Sequence, residues 1–581
     1  MRMVMPHLRD LLARGGRLRL LTGDYLDVTE PSALRLAADL EGDKALYVFR
    51  AAQLPFHPKA WMFGFADDGG ALIVGSSNLS RSALSGGIEW NLRHVDAGDP
   101  APLAQARAAF ETLLVRPEVI ELTPSWIDAY ERRRVAPRPD VTGAPTEPAE
   151  AVPAPHSVQQ EALQALRATR ERGYKAGLVV LATGLGKTYL AAFDSASAKR
   201  VLFVAHRDEI LGQALSAFRA VRPTARLGRF NGEVKDLSAE VVFASVQTLA
   251  RTANLSRFEP DAFDYIVVDE FHHAAAATYR RIINHFSPDF LLGLTATPDR
   301  SDGADLLGLC EENLVFECDL WTGIERGLLS PFRYFGVPDL VEYDNIPWRS
   351  GRFDEAALTA AVATEARARN ALEQLTKHGG KKTIGFCVSV RHADFMANFA
   401  VKNGLRAVAV HSGESSAPRA SALQALADGD IDVVFAVDMF NEGVDVPAID
   451  TVLMLRPTES PIVWLQQLGR GLRRSAQKTH LAVIDYIGNH RTFLTRLTTL
   501  LRLDPGAPVT DGALRAALER LRDNRILFPE GCSITYELET IDILLGLLKR
   551  PRDGAELVVF YQDFRDRHGV RPTASDAEMA G

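Results

Sequence analysis

Three short stretches hold residue types whose spacing could do phosphate chemistry. Residues 182–188 read ATGLGKT, between an apolar run and a helical segment. In that setting Gly184 and Gly186 let the backbone curl so that amides along Thr183, Gly184, Leu185 and Gly186 point at phosphate oxygens, with a helix dipole behind them. Lys187 would neutralise the β- and γ-phosphates, and the Thr188 hydroxyl would hold Mg²⁺. Residues 265–273 read YIVVDEFHH, which puts Asp269 and Glu270 at the carboxyl end of a buried strand, where open α/β sheets bind ligands. Asp269 suits Mg²⁺, and Glu270 suits orienting or deprotonating a water. Residues 466–474 read QQLGRGLRR, with Arg470 and Arg473 one helical turn apart, so that one helix face could aim both planar forks at the same phosphoryl oxygens. Each stretch alone has an ordinary alternative: a Gly-rich turn, a solvated acidic loop, a basic helix face. Their succession on one chain favours the chemical reading.

The elements that must position these residues are legible as alternating apolar runs and helical segments. Runs at 178–182, 200–205, 240–245, 265–269 and 290–296 form one series, and runs at 383–388, 406–411, 432–437, 451–455 and 480–485 form a second. Such alternation implies β-α units on mostly parallel sheets, hence two α/β lobes at 155–330 and 331–490. Residues 131–154 are Pro-rich and poor in large apolar groups, which predicts a linker. Ahead of it, strands at 17–22 and 45–50 and an amphipathic helix at 101–115 predict a small α/β domain over 1–130. Beyond 491 the pattern is mainly helical, with an apolar and aromatic stretch at 557–564, and reads as an accessory segment that stops in domain-like sequence.

A chain of 581 residues needs several cores, and its 46% apolar and 24% charged composition is ordinary for a globular protein. No apolar stretch is long enough to cross a bilayer, and residues 1–10 lack a secretory signal, so the expected location is cytoplasmic with no membrane partner. Cys310, Cys318, Cys387 and Cys532 are dispersed without zinc-site spacing, which predicts reduced thiols. The net charge of −8 leaves room for a local basic channel but makes no overall polyanion binder.

Residues 155–490 resemble the core of a superfamily 2 helicase of the DEAD/DEAH type, on the branch with type III restriction subunits. Besides the three stretches above, PHSVQQEAL places Gln159 where that family reads adenine; AHRDEIL (205–211), SVQTL (245–249), LTATP (294–298) and FNEGVDVP (440–447) also match in order. The last of these puts Gly443 and Asp445 near the nucleotide. Leu181 replaces the first glycine of the strict loop pattern, and Phe271 stands where the family more often has Ala or Cys. The resemblance implies two tandem RecA-like lobes that close on ATP and Mg²⁺ and open after hydrolysis. It also implies nucleic acid, DNA in the favoured reading, gripped mainly through its backbone.

Residues 1–130 resemble the phospholipase D superfamily through His57-Pro58-Lys59, Gly75-Ser76-Ser77-Asn78 and Glu89-Trp90-Asn91. That family implies His57 as nucleophile, Lys59 and Asn78 as phosphate ligands, and Glu89 orienting the histidine, without metal. Gly64 takes the place of the family's aspartate, and one motif per chain requires a homodimer for a two-histidine site. The expectation is thus an ATP-dependent DNA helicase or translocase feeding a nuclease, in restriction, repair or anti-phage defence. The alternative is a nucleic-acid-stimulated ATPase switch whose front domain only binds DNA.

Overall fold

The computed structural model describes the chain apart from residues 1–2, 52–55, 67–68, 80–82, 85–88, 97–98, 135–151, 233, 275, 297–306, 350–351, 438–448, 458–460, 476–477, 502–509, 549–560, 562–563, 566–570 and 574–581. Most of the expected linker, the 440–447 motif with Gly443 and Asp445, and most of the 557–564 stretch lie outside the described residues. The chain divides into two compact units, Met1–Pro153 with Arg222–Leu227, and Ala154–Val221 with Gly228–Gly581. Among the described residues no helix is long and apolar enough to cross a membrane.

In the first unit, β1 (Leu18–Gly23), β2 (Lys44–Phe49), β3 (Ala60–Gly64), β4 (Gly70–Gly75), β5 (Asn91–Val95) and β6 (Val119–Glu121) form two three-stranded sheets, β1-β2-β6 and β3-β4-β5. β1 and β2 are parallel, β6 is antiparallel to β2, and the second sheet is antiparallel throughout. Leu34, Leu46, Val48, Ile127 and Tyr130 fill the core beside the first sheet.

The second unit holds two seven-stranded sheets. The first contains β7 (Ala176–Leu181), β8 (Val201–Ala205), β9 (Leu227–Phe230), β10 (Val241–Ser245), β11 (Tyr265–Val268), β12 (Phe290–Thr295) and β13 (Leu314–Cys318), in the order β13-β7-β12-β11-β8-β10-β9. From β13 across to β10 the strands are parallel. Every residue of β7, β8, β10, β11 and β12 is buried, as expected for strands covered by helices on both faces.

The second sheet contains β14 (Phe332–Pro338), β17 (Thr383–Phe386), β18 (Ala407–Val410), β19 (Val433–Ala436), β20 (Thr451–Met454), β21 (Leu481–Ile487) and β22 (Ser533–Tyr536), while β15 (Trp348–Arg349) and β16 (Arg352–Phe353) make a separate small hairpin. Its order is β18-β19-β17-β20-β21-β14-β22, all parallel. The fold is therefore α/β with tandem RecA-like lobes. β22 comes from the segment after 491, so that segment adds an edge strand to the second lobe.

A buried network ties the same segment to the helix that carries Arg470. Asp485 on β21 accepts hydrogen bonds from Tyr334 Oη at 2.8 Å and Trp464 Nε1 at 3.2 Å, and its other oxygen accepts from Arg496. Asp485 and Trp464 are fully buried and Arg496 is 1% exposed. A buried ion pair is costly to break because the surviving charge is left without a partner. Trp464, on the helix Pro461–Gly471, is thereby fixed from behind.

Candidate functional site

β7 ends at Leu181 and the helix Lys187–Asp194 starts six residues later, so residues 182–186 must turn sharply at the carboxyl edge of the sheet. Gly184 and Gly186 take φ of +97° and +75°, a region that a Cβ disfavours, which is why the turn needs glycine at both positions. From Ser157–Glu171 the neighbouring helix holds this turn: Gln159 Nε2 donates to the Gly186 carbonyl at 3.0 Å. His156 caps that helix through Nδ1, which accepts from the Gln159 N–H, and its Nε2 donates to the Leu185 carbonyl at 3.1 Å. The Gln159 carbonyl oxygen in turn accepts from the His156 N–H at 3.1 Å. His156 was not singled out by sequence; its place three residues before Gln159, at a capping position, was the available signal.

Asp269 and Glu270 follow β11 as expected, 5% and 7% exposed. Glu270 adopts φ +50° and ψ 53°, an uncommon conformation for a residue with a side chain and one that clusters at functional sites. Its N–H donates to Asp269 Oδ1 at 2.9 Å. Glu270 Oε1 accepts from Gln466 Nε2 of the second lobe at 3.0 Å, while His272 Nδ1 lies 3.4 Å from Oε2 and 3.4 Å from Thr295 Oγ1. Burial, together with the Glu270 charge, raises the Asp269 carboxyl above the usual range, and Lys187 opposes the shift. Burial pulls Glu270 up as well, but Lys187, His272 and the Gln466 bond outweigh it and leave Glu270 low. Burial also drives His206 and His272 down to about 4, so both are neutral around the acid pair near pH 7.

The second lobe comes directly onto the glycine turn. A Cβ on Gly469 would meet Thr183 Cγ2 at 2.4 Å, so only glycine lets the helix Pro461–Gly471 approach this closely. Arg470 lies in that helix's last turn, but Arg473 does not lie on the helix as the spacing had suggested. The helix ends at Gly471, where a Cβ would strike Leu481 Cδ1 at 2.4 Å, and Arg473 instead bridges antiparallel to Leu329. Arg473 Cγ nonetheless lies 3.7 Å from the Cβ position of Gly184, so its placement beside the turn is set by strand-like pairing.

The same residues offer groups suited to a magnesium nucleotide. Thr183 Oγ1 and Glu270 Oε2 are buried without a hydrogen-bond partner, two polar atoms left to pair with a ligand. Lys187 Nζ donates a long hydrogen bond to the Leu181 carbonyl at 3.4 Å, and Thr188 stands in the first turn of its helix. No group of three His, Cys, Asp or Glu suited to a metal occurs among the described residues. Magnesium bound through a nucleotide needs only one or two protein oxygens, so the donor set fits.

In the first unit, the three singled-out segments meet at one end of the β3-β4-β5 sheet. The Lys59 carbonyl accepts from the Gly75 N–H at 3.2 Å and the Trp90 carbonyl from the Ser76 N–H at 3.0 Å. Lys59 Nζ sits 2.9 Å from His57 Nδ1, and Asn91 Nδ2 donates to Ser77 Oγ at 2.7 Å. Glu89 accepts from Ser76 Oγ, a different partner from the His57 expected for it. His57 and Asn78 are exposed.

The class of the second unit follows from this geometry and from what the sequence matches. Residues 153–300 match the type III restriction enzyme res subunit and residues 367–475 the helicase conserved C-terminal domain, so the two lobes carry the domain pair of superfamily 2 helicases. IRC3 of Saccharomyces cerevisiae, which bears an ATP-dependent helicase name, is 27% identical over 368 residues, covering 59% of this chain and 53% of IRC3. The type I restriction enzyme EcoAI endonuclease subunit of Escherichia coli is 26% identical over 375 residues, covering 56% of this chain and 45% of the subunit. The chain thus spans about half the length of these relatives. The type ISP restriction-modification enzyme LlaBIII, in a structure bound to DNA, shares the fold with a TM-score of 0.51 at 16% identity, covering 70% of this chain and 33% of LlaBIII.

Gly469→Ala tests the contact between the lobes. Alanine would strengthen an isolated helix by about 1 kcal/mol, yet here its methyl must displace Thr183. The expected result is a cooperatively folded protein whose ATP turnover is reduced roughly a hundredfold, the scale of a ~1 Å misplacement; unimpaired turnover would show that the lobes do not work at this distance.

Proposed function

We propose that this chain is an ATP-dependent helicase or translocase acting on DNA. The observation that carries the reading is the Gln466–Glu270 hydrogen bond, which joins the hydrolytic carboxylate of one lobe to the helix bearing Arg470 on the other. The triphosphate lies along the amides of residues 183–187, with Lys187 on its β- and γ-phosphates. Gln159 keeps one amide hydrogen and one lone pair for adenine while its other groups hold His156 and Gly186. Thr188 and Asp269 would hold Mg²⁺, which when bound neutralises charge on the phosphates. Glu270 accepts the proton of the attacking water, and Arg470 and Arg473 stabilise the charge that develops on the transferred phosphoryl group.

Because the two arginines come from the second lobe, hydrolysis proceeds only while the lobes are together, and loss of the γ-phosphate releases them. A strand held across both lobes through its phosphates advances with each cycle, so binding should weaken with salt and carry little sequence preference. Likeness to a res subunit and to a restriction endonuclease subunit supports DNA as substrate, and restriction, repair or anti-phage defence as setting.

For the first unit we propose phospholipase D-like nuclease chemistry, with His57 attacking phosphorus, Lys59 and Asn78 holding the phosphate, and two chains supplying the two histidines. The meeting of the three segments at one sheet end supports it. The pairing of Glu89 with Ser76 favours a second reading, a DNA-docking module without cleavage.

ATP turnover measured with and without single-stranded DNA checks the motor. Turnover should rise with DNA, and Glu270→Gln should lower the stimulated kcat by about two to four orders of magnitude; a variant as fast as wild type would remove Glu270 from the role of base. For the first unit, labelled DNA is incubated with EDTA. Cleavage that persists under chelation and is lost in His57→Ala supports the nuclease, and intact DNA in all samples supports the docking module.

A further inference from the structure

Arg473 lies outside the helix that carries Arg470, so helical geometry does not aim it. What fixes its backbone is the connector between the lobes. The helix Leu320–Glu325 is followed by Gly327 at φ +66°, and the N–H groups of Leu328 and Leu329 both return to the Gly323 carbonyl, at 2.9 and 3.1 Å. This tight return lays residues 327–330 alongside 472–474. The Ser330 N–H donates to the Leu472 carbonyl at 2.7 Å, Leu329 bridges Arg473, and Arg474 Nη1 donates to the Gly327 carbonyl at 2.6 Å. Ser330 Oγ then donates to the carbonyl of Arg473 itself at 3.2 Å. Ser330 is 2% exposed and Leu329 1%.

Leu329 also faces the nucleotide turn. A Cβ on Gly184 would meet Leu329 Cδ2 at 3.3 Å. One connector residue thus touches the turn through its side chain and Arg473 through its backbone, and the next holds the Arg473 carbonyl.

We propose that Ser330 is a positioning residue for Arg473, and that the connector 327–330 sets where that guanidinium stands relative to the glycine turn. The proposal rests on Arg473 acting in hydrolysis, as argued above. Without the Ser330 hydroxyl the Arg473 carbonyl loses a buried partner, the pairing with Leu329 loosens, and the guanidinium samples positions away from the phosphoryl group. Since ATP is gripped by the first lobe, the defect falls on the hydrolytic step and leaves nucleotide capture alone.

The test is a double-mutant cycle in the full-length protein, reading DNA-stimulated ATP turnover for Ser330→Ala, Arg473→Ala and the pair. Ser330→Ala should lower kcat about five- to tenfold, the effect of one hydrogen bond, with the KM for ATP unchanged. In the Arg473→Ala background it should cost nothing further, because a residue that acts through another loses its effect when that other is gone. A Ser330→Ala protein as fast as wild type, or one whose defect multiplies in full with that of Arg473→Ala, would overturn the proposal. Failure of Arg473→Ala itself to slow turnover would instead strike at the role of Arg473, on which the proposal stands.

Discussion

Two carboxylates, Asp269 and Glu270, sit side by side at the carboxyl end of β11 and almost out of water. Placing like charges there is costly, and the surrounding structure consists largely of what offsets it. Lys187 acts on both groups, the Glu270 N–H satisfies Asp269, His272 lies against Glu270, and Gln466 donates from the second lobe. The left-handed backbone at Glu270 adds strain of about 1–3 kcal/mol, which persists only where the environment over-determines it. One of these supports belongs to the other lobe, so the state of the acid pair reports where that lobe stands. The parallel sheet, the glycine turn and the docking of the helix Pro461–Gly471 all converge on this pair.

The parts visible in the sequence were those whose cause is local. ATGLGKT, the acid pair and the buried central strands each follow from residue type and short-range period, and the strands appear within a few residues of where the apolar runs put them. Two strands at the far end of the second sheet escaped: β14 carries exposed Arg333 and closes on Pro338, and the edge strand β22 pairs with β14 from two hundred residues away. The end of the helix at Gly471 escaped for a related reason. QQLGRGLRR reads as helix through Arg473, but residues 472–473 pair with Leu329 and Ser330 after the helix has ended, contacts no local pattern contains. Ser330 and Asp485 were invisible as well, since each acts through hydrogen bonds to distant backbone or to buried partners.

The first unit shows the same division. Its three polar segments were found by residue type, but the antiparallel sheet that gathers them was not, because β5 is mostly exposed, β4 is buried only over its first half, and none of β3 to β5 alternates cleanly. The sheet explains why residues more than thirty positions apart share one end: each segment sits at the start or finish of a strand paired to the next. It also explains why Glu89 finds Ser76, its neighbour across β4 and β5.

In the proposed function both lobes build one hydrolytic site, and Arg470 is the second-lobe group that tests it most directly. Nucleotide affinity and single-turnover hydrolysis are measured on the Arg470→Ala protein. Affinity within a few-fold of wild type, with hydrolysis slowed by about three orders of magnitude or more, the scale of an arginine that stabilises phosphoryl transfer, is the predicted result; hydrolysis at the wild-type rate would mean that the first lobe works alone.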